Sequence, residues 1–262
     1  MLPRARPTDT YAAAMPPSDP APRVLRAASR FRTDTEWLSS AHSFSFGPHY
    51  DPDNVGHGRL MVSNHESVRS GAGFEDHPHA DAEIVTWVLS GSLVHTDSAG
   101  HRAVAHRGLA QRMSAGAGIV HAEVNDGYVL DPSLPATAVE YVQMWVRPDA
   151  PGGPSSFQQT GYAEADLTAG WMPVASGHEP EALVRIGSAA TLWVTVLGPG
   201  VHRDVPGGDD VHLYLARGRC VLDGAGELVV GDAVRFHRSD PVGVTGSVDG
   251  AELLVWQMDR ER

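Results

Sequence analysis

The chain of 262 residues has no lysine, one cysteine and no long hydrophobic run. Each shortage excludes something. With Cys220 alone, no intrachain disulfide framework can form and a thiolate-rich zinc site is ruled out. That economy suits a reducing compartment, so a cytoplasmic location is the expectation. No apolar stretch approaches the roughly 20 residues of a membrane-spanning helix, so no membrane partner is expected. Positive charge is also scarce: 20 basic residues, all of them arginine, stand against 32 acidic ones, for a net charge of −12. Nucleic acid and anionic membrane surfaces both demand a basic face, so neither is expected to be bound directly. Residues 1–22, MLPRARPTDTYAAAMPPSDPAP, lack the hydrophobic core of a secretory signal; their Ala- and Pro-rich composition predicts a disordered tail.

What the chain does have is histidine, 14 in all. Two short motifs concentrate the chemistry: His77-Pro78-His79 and His121-Ala122-Glu123, with 41 residues between His79 and His121. Each motif sets two ligand-capable side chains at i and i+2. In a β-strand those positions share a face. Two neighbouring strands can therefore aim three imidazoles and one carboxylate at one point. Such a set suits Fe(II), Mn(II), Ni(II), Cu(II) or Zn(II) and leaves positions open for water, substrate or O2.

The rest of the pattern is that of an all-β protein. Alternating or β-branched runs occur at 42–47 (HSFSFG), 60–64, 83–89 (EIVTWVL), 92–97, 102–105, 110–113, 119–121 and 140–147, punctuated by Gly91, Gly100, Gly108 and the cluster 115–118. Residues 148–154 (PDAPGGP) form a linker, with at most a short helix nearby. Strand patterns resume at 192–197, 211–215, 219–222, 227–230, 233–236 and 252–258. Gly218, Gly226 and Gly231 mirror Gly91, Gly100 and Gly108, which implies an internal repeat of two similar units, 23–148 and 149–262. The second unit has His202 and His212 but neither motif, so it is expected to hold no metal site.

The spacing Gly71-x5-His77-x-His79-x3-Glu83, followed by Gly116 and His121-x3-Asn125, resembles the double motif of cupins. More specifically, HSFSFG, HPH, EIVTWVL and the run from Gln111 to Glu123 resemble the pirin family of bicupins, over about residues 25–150. The resemblance implies two tandem antiparallel β-barrels of the double-stranded β-helix type. It implies one metal, with Fe(II) foremost and Mn, Ni, Cu or Zn as substitutes, held by His77, His79, His121 and Glu123. It also implies quercetinase-like ring cleavage of a flavonol or similar small aromatic with O2, with Glu123 as the catalytic base. The alternative it implies is an iron-dependent, redox-sensitive regulator that binds a protein partner without turnover. Glu83, a ligand in many cupins, is given a supporting or structural role here. The acidic pair Glu75 and Asp76 departs from the family's usual Gly-Phe-Gly before HPH and adds negative charge by the site. Met61, Met113 and Trp145 are candidate pocket walls. His42, His49 and the alternating pair His95 and Asp97 are expected to be structural, and a monomer is the default.

Overall fold

The computed structural model describes residues 22–134, 136–239 and 242–260. The expected tail lies almost wholly outside these residues. Three antiparallel-dominated sheets carry the fold. The first has seven strands in the order Ser156–Gly161, Leu109–Ser114, Glu83–Ser90, Val139–Val146, Leu60–Val68, Leu38–His42 and Phe31–Asp34. The second has four, in the order Gly73–His79, Ile119–Val124, Ser92–Asp97 and Arg102–His106. The third has nine and gathers the C-terminal strands around Gly208–Leu222 and Val242–Met258. Hydrogen bonding follows an open path in each. Two short α-helices, Gly127–Leu130 and Glu164–Ala169, are formed among the described residues.

The runs rich in Val, Ile, Leu and Trp fold as strands because both of their faces are covered. Every residue from Glu83 to Leu89 is buried, and only Ser90 at the end is exposed. The polar-apolar alternation at 42–47 misled in one place. The strand ends at His42, and residues beyond it turn, with Phe46 and His49 exchanging two backbone hydrogen bonds of 3.0 Å. Gly47, at φ +56°, and Pro48 break the ladder there.

The glycine repeat is real in backbone terms. Gly91, Gly100 and Gly108 have φ of +75°, +92° and +99°, and Gly218, Gly226 and Gly231 have +74°, +78° and +87°. Gly91 and Gly218 also lie where a strand crosses close behind them. A Cβ would stand 2.8 Å from the Ala138 carbonyl oxygen at Gly91 and 2.0 Å from that of Gly250 at Gly218.

Strands are exchanged across the expected divisions of the chain. Arg23–Leu25 pairs with Ala233–Ser239 in the C-terminal sheet, and Ser156–Gly161 pairs with Leu109–Ser114 in the N-terminal one. One apolar cluster spans both halves, from Phe44, Val85, Trp87 and Met144 to Leu192, Leu254, Trp256 and Met258. Polar links close the seam: buried Trp87 donates to Glu252 Oε1 at 2.8 Å, and Arg107 reaches the same carboxylate at 2.9 Å. Apolar surface buried between the halves stabilises their contact.

Candidate metal centre

The two motifs lie on adjacent strands of the four-stranded sheet. His121 pairs directly with His77, and a bulge after it sets Glu123 opposite Phe74. On the other side of Ile119–Val124, Asp97 pairs with His121 and His95 with Glu123. The seven-stranded sheet covers this face and presents Thr86, Gln143 and Trp145 to it. Gly73 permits the close strand approach at the bulge, since a Cβ would fall 2.2 Å from the Glu123 carbonyl oxygen.

His77, His79 and His121 converge. One ring nitrogen of each lies within 4.8 Å of the others. Ring centroids are 4.8 Å apart for His77 and His79, 4.4 Å for His77 and His121, and 4.9 Å for His79 and His121. Glu123 joins through His121, in a second cluster of the same span with His95. The four expected ligands therefore form two overlapping groups that share His121.

Hydrogen bonds from outside set the tautomers. His77 Nδ1 is 2.7 Å from the Glu75 carbonyl oxygen, which can only accept, so Nδ1 carries the proton and Nε2 the lone pair. Asp97 Oδ2 accepts from His95 Nε2 at 3.0 Å. His95 Nδ1 is then a lone pair, and it accepts from His121 Nδ1 at 3.3 Å. His121 Nε2 is left bare, buried and without a hydrogen-bond partner, and so is His79 Nε2. For His77 and His121, the acceptor behind the ring is the usual way a protein fixes an imidazole's orientation and basicity at a metal.

The electrostatics agree. Burial, helped by His77, lowers His79 to about 4. Burial, with His77, His79 and His95 adding to it, lowers His121 to about 2. Both rings are thus neutral at ordinary pH and able to ligate. Burial raises Glu123 to about 7, against hydrogen bonds from Gln143 and Thr86. Gln143 Nε2 donates to Glu123 Oε2 at 2.6 Å, and Trp145 Nε1 donates to Gln143 Oε1 at 3.0 Å. Two orphaned buried nitrogens, neutral imidazoles and a buried carboxyl with no cation beside it fit a divalent ion. Nitrogen and oxygen donors without sulfur point to the first-row transition series.

The other expected residues separate. Glu83 accepts from Ser114 Oγ at 2.6 Å and belongs to neither cluster. Glu75 and Asp76 are exposed on the strand that carries His77. Trp145 stands edge-on to His79 with centroids 4.7 Å apart, a wall of the site. Met113 is core, packed with Ile84, Ala115 and Ile119, while Met61 packs against that cluster. His42 is a structural histidine between Thr33 and Asn64, and His49 stacks on Phe31. His202 bonds Thr245, and buried His212 lies against Phe44. The pair His95 and Asp97 is buried as expected but has a larger part: it orients His121. The sequence signal was available in the i, i+2 alternation of His95 and Asp97, but only the strand register shows what they face. Gln143 and Thr86 carried no such signal.

Comparison with known proteins agrees with this geometry. The pirin family model matches residues 24–146. A Mycobacterium tuberculosis protein, provisionally named a quercetin 2,3-dioxygenase, is 48% identical over 237 residues, covering 90% of this chain and 94% of its own length. The chain belongs to the pirin family. A quercetin 2,3-dioxygenase of Escherichia coli O157:H7 is 28% identical and matched over 88% of this chain and 96% of its own. Among solved structures, the bacterial pirin YhhW of Escherichia coli, in complex with nickel(II), superposes with a TM-score of 0.81 at 25% identity, covering 92% of this chain and 100% of that one.

Proposed function

We propose that this pirin is a metal-dependent dioxygenase, quercetinase-like, that opens the ring of a flavonol or similar small aromatic with O2. The observation that carries the reading is the set of three imidazoles on one face: acceptors leave the Nε2 lone pairs of His77 and His121 free, and the Nε2 atoms of His79 and His121 are buried without partners. His77, His79, His121 and Glu123 would hold the ion. When bound, a divalent metal supplies Lewis acidity that lowers the proton affinity of a substrate hydroxyl. Iron is the metal we favour, and the affinity order of divalent ions allows nickel, copper or zinc to replace it.

The chain's own residues supply the rest. Glu123, the carboxylate of the set, is the group placed to accept the substrate's hydroxyl proton. Gln143 and Thr86 fix its carboxylate. Trp145, beside His79, offers an aromatic surface to a flat substrate. In the same reading the two glycine-matched units are tandem barrels divided near 148, the second without a motif set of its own, in a cytoplasmic monomer. The test is O2 consumption and CO release with quercetin on the Fe(II)-loaded protein. Turnover in the wild type that is lost in His79→Ala supports the enzyme; a metal-loaded wild type inert toward every flavonol contradicts it.

One observation favours the regulatory alternative. Gly73–His79 is an edge strand, and its Glu75 carbonyl is bonded to His77 while the Glu75 and Asp76 side chains face solvent. A change in metal charge would be felt at that exposed edge. The flavonol assay separates the two readings, because a regulator needs no turnover.

A further inference from the structure

A second constellation of ligand-capable side chains lies outside the pirin site. We propose that His57, Asp210 and His237 form a second divalent-metal site, on the seam between the two halves, suited to a borderline transition ion such as Zn(II). The proposal does not depend on the dioxygenase reading.

One ring nitrogen of each histidine and one Asp210 carboxylate oxygen lie within 4.8 Å of one another. Two imidazoles and a carboxylate are a ligand set that zinc and its neighbours accept, with further positions left for water. The ring of His57 is set from behind. Its Nε2 lies 3.1 Å from the carbonyl oxygens of both Val211 and Phe236, which can only accept, so Nε2 carries the proton and Nδ1 the lone pair. The residue is also buried, and its backbone is pinned by hydrogen bonds of 2.9 and 3.0 Å exchanged with Leu60. Asp210 and His237 are direct cross-strand partners on Gly208–Leu222 and Ala233–Ser239, with Oδ1 and Nδ1 2.5 Å apart. The rings of His57 and His237 are 4.7 Å apart. Gly58, at φ +55°, seats the loop on Asp210, where a Cβ would stand 2.9 Å from the Asp210 Cβ.

The arrangement opens on one side. His237 is exposed, and it borders a cavity of about 400 Å³ shared with Arg59, Arg147, Asp259 and Arg260. Arg59 is committed to the Asp149 carboxylate and to the Asp259 carbonyl. With arginines on this rim, a bound ion would take water or an anionic oxygen ligand on its open side. The bland reading is an ion pair between Asp210 and His237 that ties two strands together. That role needs neither His57 nor its fixed tautomer.

The test is Zn(II) binding by equilibrium dialysis on full-length wild type, His79→Ala, His237→Ala and the double variant, with Co(II) absorption as a second readout. The expected result is two Zn(II) per wild-type chain, one in each single variant and none in the double. In the His79→Ala background, Co(II) d–d bands should vanish once His237 is removed. If circular dichroism shows His237→Ala misfolded, the isosteric Asp210→Asn takes its place. No Zn(II) on His79→Ala, or equal binding by His79→Ala and the double variant, overturns the proposal. A flavonol assay that fails while His79→Ala still binds one Zn(II) would leave this site standing and remove only the dioxygenase reading.

Discussion

The two halves share a glycine-punctuated hairpin plan and fill its interior in opposite ways. In the C-terminal half the enclosed face is a continuous apolar cluster: Leu197, Val211, Leu213, Leu215, Leu222, Val234, Phe236 and Val255 among others, nearly all without solvent contact. In the N-terminal half the comparable space is split. A small apolar cluster of Ala82, Ile84, Met113, Ala115 and Ile119 sits beside a polar one built from His77, His79, His95, His121 and Glu123. The first half forgoes the stabilisation of a full core to hold three converging imidazoles, two of them with buried, partnerless Nε2 atoms. Chemistry here follows from what fills a face and not from the strand plan that makes it.

That contrast can be broken at several points. The largest effect should come from His79→Ala or His121→Ala, which are expected to abolish metal binding at the N-terminal site and with it any turnover while leaving the circular dichroism spectrum unchanged; elemental analysis and the flavonol assay check both. Next is Leu213→Ala in the apolar half, where a fully buried side chain leaves a cavity. A loss of about 2–5 kcal/mol in denaturant unfolding is expected, with N-terminal metal binding intact. If metal binding fell equally, the halves would not be separable in this way. Asp97→Asn should weaken metal binding by about 10–100-fold without unfolding the protein, because it loosens His95 and through it the tautomer of His121; competition against a chelator measures it.

The smallest effect is a pH dependence with a sign. His79 and His121 titrate below their unfolded value in the folded, metal-free protein. The unfolded chain therefore binds more protons as pH falls below about 6.5, and stability declines toward acid. Glu123 has the reverse sign. Its folded value is raised from 4.5 to about 7, so the folded state binds the extra proton and stability from this group is lost as pH rises through 7. Metal-free Glu123→Gln should therefore gain stability relative to wild type above pH 7, and hold no metal at any pH. Thermal unfolding between pH 5 and 8.5 would show the crossing curves.

Much of this was legible in the sequence. Strand positions such as Ser92–Asp97 and Glu83–Ser90 follow from period-two patterns and β-branched runs, and the His-x-His and His-x-Glu motifs announce a shared face. Parts that depend on register were not legible. Nothing local says that Asp97 lies opposite His121, that Gln143 from another sheet bonds Glu123, or that His57 meets Asp210 and His237 across more than 150 residues of chain. The segment at 42–47 shows the converse error: its alternation is that of a strand, but Gly47 and Pro48 turn the chain. Strand exchange across the seam was equally invisible, since no composition change marks Arg23–Leu25 as a strand of the distant C-terminal sheet.

The central claim is that His77, His79 and His121 of the N-terminal half, with Glu123, hold the working metal. Its most direct test is elemental analysis of anaerobically purified protein given one equivalent of Fe(II), with wild type beside His79→Ala and Glu123→Ala. Near one iron per wild-type chain, lost in both variants, is the result this account predicts. Wild type without stoichiometric iron, or variants that keep it, would contradict it.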